Sequence, residues 1–500
     1  MSSSHFLVFL GGTGAKCCET FVNLLACGAV GRRDQTFHIL TADVDATNGN
    51  RKLALEAIRR YQVLRGQFPA SGAYADSTAF ASEIVHYDWH IQLPNAYSFA
   101  AGLDCLNAMR TRNDPDELAL MRLFYTNDEM GFDFSKEGFH AIPAIGAPVM
   151  QYILAEGIGS EPFYKYVSII RSEISANSHL ILTGSIFGGT GACGIPSLMR
   201  EFRNATQDYA LSGTLHTHAV LLLPYYHFME PGKDKVDAQN MPMSVQARRF
   251  YSNARGALAY YGEMERELGY ESLYLLGSPV DFNMGEYHPG MEKQQNPPTV
   301  VEWEAALAIE HCVTQLEVPT EANTYLHSVL AGDDLDMAQT IKVNWEQFSA
   351  PIGRKVAAMV RFCAAYNGYY KDYINRNARR TRGLKPFFSE LIQPYLIQAE
   401  SETQAFETLS AFCARFWQWA NDSFRHGAIT QNCLTERMMN AKGYPFRTIP
   451  NLIAQMPSPK WTHIEDAVFD GIRPYRGEDA QSPEMNAGLF LHGLFAHCAL

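Results

Sequence analysis

No apolar run in this chain approaches the ~20 residues that cross a bilayer, so no membrane insertion is expected. Met1-Ser-Ser-Ser-His5 leads straight into an apolar run, without the basic and hydrophobic regions of a secretory signal. A cytoplasmic location is expected. Charge is scarce and skewed, with 19% charged residues and a formal net charge of −12 over 500 residues. A surface of that sign does not neutralise a phosphate backbone, so no nucleic-acid partner is expected. No two of the 10 cysteines have the two-residue spacing of a zinc knuckle. Most sit in apolar patterns, as Cys105, Cys312, Cys363 and Cys413 do, and read as buried reduced thiols. Cys193 is the exception: it lies in a glycine cluster at a helix start, where a thiol can be activated, but no histidine neighbours it in sequence. Internal repeats and low-complexity tracts are also lacking. A hydrophobic fraction of 47% is that of a globular chain, long enough for two or three domains.

Glycine is concentrated in two places. The apolar run His179–Thr183 feeds Ser185-Ile-Phe-Gly-Gly-Thr-Gly-Ala-Cys-Gly194, followed by Ile195-Pro-Ser-Leu-Met-Arg200. Phe6-Leu-Val-Phe-Leu10 runs into Gly11-Gly-Thr-Gly-Ala-Lys16 and a helical pattern through Leu25. Strand, tight loop and helix in that order aim backbone N–H groups and a helix N-terminus at one point, where a phosphate fits. A side chain at those positions would block an anion's approach. The spacing excludes a P-loop, because no second glycine precedes Lys16. It also departs from the dinucleotide fingerprint, because Cys17 stands where the third glycine belongs.

Strand-like and helix-like runs alternate through the first half, the pattern of a parallel sheet covered on both faces. Further strands are expected at 37–42, 218–223 and 272–276, with helices near 147–156, 161–176 and 245–267. Residues 51–135 carry helical periodicity and read as a helical insertion. A long apolar helix follows Asn296-Pro-Pro298, and helical periodicity dominates 353–374 and 386–425. Between these lies a basic run, Arg376, Arg379, Arg380, Arg382 and Lys385, which reads as a solvated helix end. The expected fold is α/β: a parallel Rossmann-like sheet with helices on both faces, the helical insertion, and a mainly helical C-terminal half. The expected boundaries are a nucleotide-binding domain over 1–298, a central helix over 299–316 and a helical domain over 317–500.

This order of motifs resembles the tubulin and FtsZ superfamily, over residues 5 to about 316. The family's glycine signature is similar to Phe187-Gly188-Gly189-Thr190-Gly191-Ala192-Cys193-Gly194, with Phe187 in place of its first glycine and its last glycine displaced onto Gly194. The resemblance implies GTP or GDP as ligand. It places Gly11, Gly12, Thr13 and Gly14 under the phosphates, with Lys16 as a further phosphate contact. Asp43 and Asp45 resemble the acidic loop near the phosphates and their Mg²⁺, an ion that prefers oxygen ligands. Gly146 in Pro143-Ala-Ile-Gly146 resembles the segment near the γ-phosphate. Glu230, after the aromatic Pro224-Tyr-Tyr-His-Phe228, falls near the ribose, and Asn296 falls where the guanine edge is read.

Family members hydrolyse GTP when subunits stack head to tail, because a neighbour supplies the acid that orients water. The resemblance therefore implies a homo-oligomer or filament, and nominates Glu317 and Glu321, or the later Asp333, Asp334 and Asp336, as that acid. Two other readings remain open. One is a nucleotide-gated scaffold with little hydrolysis that engages a protein partner through the helical C-terminal half. The other is a dinucleotide-binding oxidoreductase with Asp43 on the ribose.

Overall fold

A computed structural model of the chain describes residues 3–92, 123, 125–126, 138–139, 141–157, 160–175, 177–211, 215–229, 248–278, 282–286, 295–314, 323–326, 350–398, 403–425, 472–475 and 482–499. Among the described residues, seven strands form one sheet: β1 (Ser3–Leu10), β2 (Gln35–Asp43), β3 (Glu83–His90), β4 (Ser178–Ser185), β5 (Leu215–Leu222), β7 (Ser272–Leu276) and β9 (Asn323–Leu326). Their order is β3-β2-β1-β4-β5-β7-β9. Every neighbouring pair is parallel. Strands β6 (Tyr226–Met229) and β8 (Phe282–Glu286) form a separate parallel pair. The expected α/β architecture is the observed one.

Helices cover both faces. On one lie α1 (Gly11–Ala26), α2 (Gly49–Gln67) and α7 (Val300–Thr314). On the other lie α3 (Pro143–Glu156), α4 (Glu161–Glu173), α5 (Thr190–Leu211) and α6 (Arg248–Glu263). Two-sided cover explains why β1, β4 and β5 are buried along nearly their whole length rather than alternating buried with exposed positions. The second half contributes α8 (Ala350–Ala365), α9 (Thr403–Arg425) and α10 (Ser482–Cys498); α8 packs on α9 and α10, and those two pack on α2. Among the described residues no helix is long and apolar enough to cross a membrane.

Among the described residues, two prolines sit inside helices on the second face, Pro148 in α3 and Pro196 in α5. Each lacks the N–H that would bond the carbonyl four residues back. Tyrosine hydroxyls fill both gaps: Tyr125 donates to the Ala144 carbonyl at 2.9 Å and Tyr261 to that of Ala192 at 3.1 Å.

Two expectations need correction. Residues 51–135 are not uniformly a helical insertion, because α2 belongs to the regular alternation and Glu83–His90 forms β3, paired with β2. Its mixture of buried, half-buried and exposed positions is that of an edge strand. The second boundary also blurs. Asn323–Leu326, assigned by sequence to the helical domain, pairs with β7 and extends the first sheet. The helix expected at 299–316 is observed at 300–314.

Candidate functional site

The strand order reverses between β1 and β4: β1 connects through α1 to β2 on one side, and β4 through α5 to β5 on the other. In an open α/β sheet, the carboxyl ends of the two strands at such a reversal flank a crevice where ligands bind. Both glycine clusters lie there. The first is not a loop, because β1 ends at Leu10 and α1 begins at Gly11. Gly11 makes that turn alone with φ +70°, and a Cβ on it would stand 3.3 Å from Thr190 Cβ in the second cluster. Gly14 admits close packing of helix on strand, since a Cβ there would lie 3.0 Å from the Thr183 carbonyl oxygen. The second cluster bends through Ile186–Gly189 and enters α5 at Thr190. The two helix N-termini, with their unpaired backbone donors, therefore meet.

Acid groups close one flank. The Thr190 hydroxyl donates to Asp43 Oδ1 at 2.8 Å, tying the second cluster to the end of β2. Burial, then the neighbouring Asp45 charge, raise the Asp43 pKa to about 7, against the opposing pull of Thr190, the Asp45 N–H and Arg51. Asp45 accepts from the Thr47 N–H and hydroxyl at 2.9 and 3.0 Å and lies beside Gly138. Asn48 caps α2 by accepting from the N–H groups of Asn50 and Arg51, and its side chain lies against Gly12. Asn50 Oδ1 in turn accepts the Asn296 N–H at 2.8 Å. Gly11, Gly12, Asp43, Asp45, Thr190, Gly191 and Asn296 thus fall in one neighbourhood.

Lys16 turns elsewhere. Its ammonium lies 2.6 Å from Glu302 Oε1, both side chains are buried, and the rings of Tyr225 and Tyr226 stand 5.5 and 5.6 Å away. The Tyr225 hydroxyl donates to the same Glu302 oxygen, while Glu302 Oε2 accepts from the Thr299 N–H at 2.7 Å and hydroxyl at 2.6 Å. The Glu302 and Thr299 pairing is a capping box at the start of α7. Thr13 hydrogen-bonds Tyr226, so the aromatic segment after β5 closes over the first turns of α1.

Other expected residues lie against protein neighbours. Phe187 is fully buried against Tyr225, Tyr226 and Phe250. Gly188 backs onto Ser185 and Gly189 onto Phe139. Gly146 lies against Cys193 between α3 and α5, and Gly194 touches Leu10. Burial pushes the Cys193 thiol up, which holds it protonated and unreactive. Glu230, Glu317, Glu321, Asp333, Asp334 and Asp336 lie outside the described residues.

The residues present fit a Mg²⁺-bound nucleotide in their chemistry. Asp43 and Asp45 are hard oxygen donors with the Thr190 hydroxyl beside them, and a cation there would offset the burial, and then the Asp45 charge, that raise the Asp43 pKa. Among the described residues no group of three His, Cys, Asp or Glu side chains is arranged to hold a metal ion alone. Mg²⁺ is commonly bound by one or two carboxylates together with substrate phosphates. Sequence pattern alone assigns Glu302, Asn48 and Asn50 no role in the site. The capping-box pattern Thr299-x-x-Glu302 was the available signal for the first. Compared with protein-family models and with curated proteins, the chain has no match in either set.

Proposed function

We propose that this protein is a tubulin/FtsZ-like GTP-binding protein that holds GTP or GDP with Mg²⁺ across the β1/β4 crevice. One observation carries the reading: two glycine-rich helix N-termini converge at the reversal of strand order, with an acid pair beside them. The N-termini of α1 and α5 favour the anionic phosphates. Asp43 and Asp45 hold the cation, and Asn296, braced by Asn50, stands at the guanine edge. Head-to-tail assembly, with Glu317 or Glu321 of a neighbouring copy orienting water, belongs to the same proposal. Sedimentation with GTP, GDP and a non-hydrolysable analogue tests assembly. GTP-dependent pelleting supports it, and identical sedimentation in all three refutes it.

A second reading, a nucleotide-gated scaffold, draws on a different contact. Arg415 of α9 pairs with Glu19 of α1 at 2.7 and 3.0 Å, and Trp419 donates to Thr20 at 3.2 Å. Trp419 also stacks on Trp303 of α7 at 4.8 Å. The helix that begins at the first glycine cluster is therefore clamped to the helical half, a route by which ligand binding there reaches a partner surface. GTP-sensitive fluorescence from the Trp303 and Trp419 pair, without GTP-dependent pelleting, would favour this reading over filament formation.

A further inference from the structure

The opposite edge of the sheet, where the strands begin, holds a buried row of histidines that the nucleotide reading does not use. In the β4–β5 register His179 faces His216, and His5 on β1 precedes the Phe6–Leu180 pair. The three rings therefore lie side by side across three central strands. The His179 centroid stands 5.4 Å from that of His5, 5.1 Å from that of His216 and 5.1 Å from that of His218, two residues further along β5. His179 Nδ1 and His218 Nε2 share a hydrogen bond of 2.9 Å. All four side chains are buried, at 2–3% exposure. His5 Nδ1, His216 Nε2, His218 Nδ1 and the Ser272 hydroxyl, paired in register with His218, have no hydrogen-bond partner among the described residues.

We propose that this histidine row is a proton-operated latch, closed while its rings are neutral and sprung by mild acid, which parts the starts of β1, β4 and β5. A neutral imidazole has one donor and one acceptor nitrogen, which suits the His179–His218 bond, whereas a doubly protonated pair would set N–H against N–H. Further protons would place like charges on buried rings about 5 Å apart. The surroundings offer little compensation. On β1 and β2, His5 Nε2 meets Ser3 and Gln35. Arg32 and Asp34 flank it from the loop before β2, with opposite effects on its charge. Glu271, just before β7, bonds His216 Nδ1 at 3.0 Å. From α7, His311 faces His218 and bonds Tyr274, while Glu310 is engaged by the Gly31 N–H. Among the described residues, the acids thus sit at the ends of the row and none acts on His179 in its middle.

Burial, followed by the neighbouring charges, lowers the pKa of His5 to about 4, His179 to about 2 and His218 to about 3. The sign follows from linkage. The folded state refuses protons that the unfolded chain accepts near pH 6.5, so stability is full above that pH and declines as pH falls toward the folded values. The same three strands end at Leu10, Ser185 and Leu222, where they lead into Gly11, Ile186–Gly189 and the segment before Tyr225, so opening the latch disturbs the far edge as well.

The test is histidine C2 hydrogen–deuterium exchange on the full chain, read by mass spectrometry across pH. The expected titration midpoints for His5, His179 and His218 lie below those of an unfolded peptide control. Midpoints at or above the control would overturn the proposal without any variant. Acid unfolding followed by circular dichroism adds a second reading. H179L/H218L should lower the acid midpoint by about one pH unit, whereas His492→Gln, at the buried histidine of α10, should leave the row's exchange midpoints unchanged. An acid midpoint unmoved in the double variant would also overturn it. Should that variant fail to fold, exchange on the wild-type chain decides.

Discussion

The ammonium of Lys16, five residues past the turn into α1, is paired with the carboxylate of Glu302 in the first turn of α7, both inside the protein. This pair joins the helix of the first glycine cluster to the helix that follows Asn296. Breaking a buried pair strands a charge, at a cost of roughly 3–5 kcal/mol. Glu302→Leu should therefore lower stability by about that amount in denaturant melts, and K16M/E302L should recover much of it. Equal loss in the single and double variants would mean that packing, not charge, holds the two helices together.

Thr190 probes the second cluster more cleanly than its glycines. Gly189 backs onto Phe139, with only 2.6 Å between Phe139 Cβ and a Cβ added there, so Gly189→Val would disturb packing as well as any bound phosphate. Thr190→Val keeps the shape and removes the hydroxyl that Asp43 accepts. The expected cost is about 1–2 kcal/mol of stability, together with weaker Mg²⁺-dependent nucleotide binding by calorimetry. Unchanged binding would separate this hydroxyl from the site.

Much of this was legible because parallel strands buried on both faces read as apolar runs, and Phe6–Leu10, 179–183 and 272–276 do so. The glycines at their ends marked the crevice. Strand β3 was missed because its exposed edge mixes polar with apolar residues inside a stretch of helical periodicity. Lys16 pointed to phosphate by sequence proximity alone. Its partner lies 286 positions away (302 − 16), and only the packing of α7 on α1 brings the two together. Asn50 was invisible for the same reason, since its bond to Asn296 spans distant segments.

Asp43 gives a pH-dependent prediction. Its folded pKa is raised from 3.8 to about 7, so below pH 3.8 it contributes nothing. Between those values the unfolded chain ionises first and stability falls, and above pH 7 the full penalty remains, at most about 4 kcal/mol. Asp43→Asn should raise the melting temperature at pH 8 while abolishing any stabilisation by Mg²⁺ and nucleotide. A melting temperature that falls at pH 8 would mean the ionised Asp43 is held by partners that offset its burial.

Tyr261→Phe leaves the carbonyl that Pro196 frees at Ala192 without its donor. The expected loss is about 1–3 kcal/mol in chemical denaturation. A Pro196→Ala change in the same background should restore part of it by returning the missing N–H. No rescue would show that water replaces the hydroxyl.

The central claim is a guanine nucleotide at the β1/β4 crevice, and calorimetric titration of the full chain with GTP, GDP, ATP and NAD in Mg²⁺ tests it most directly. The account predicts binding of GTP and GDP in preference to ATP and NAD, weakened by Thr190→Val and by Asp43→Asn. Tight NAD binding without GTP binding, or no nucleotide binding at all, would contradict it.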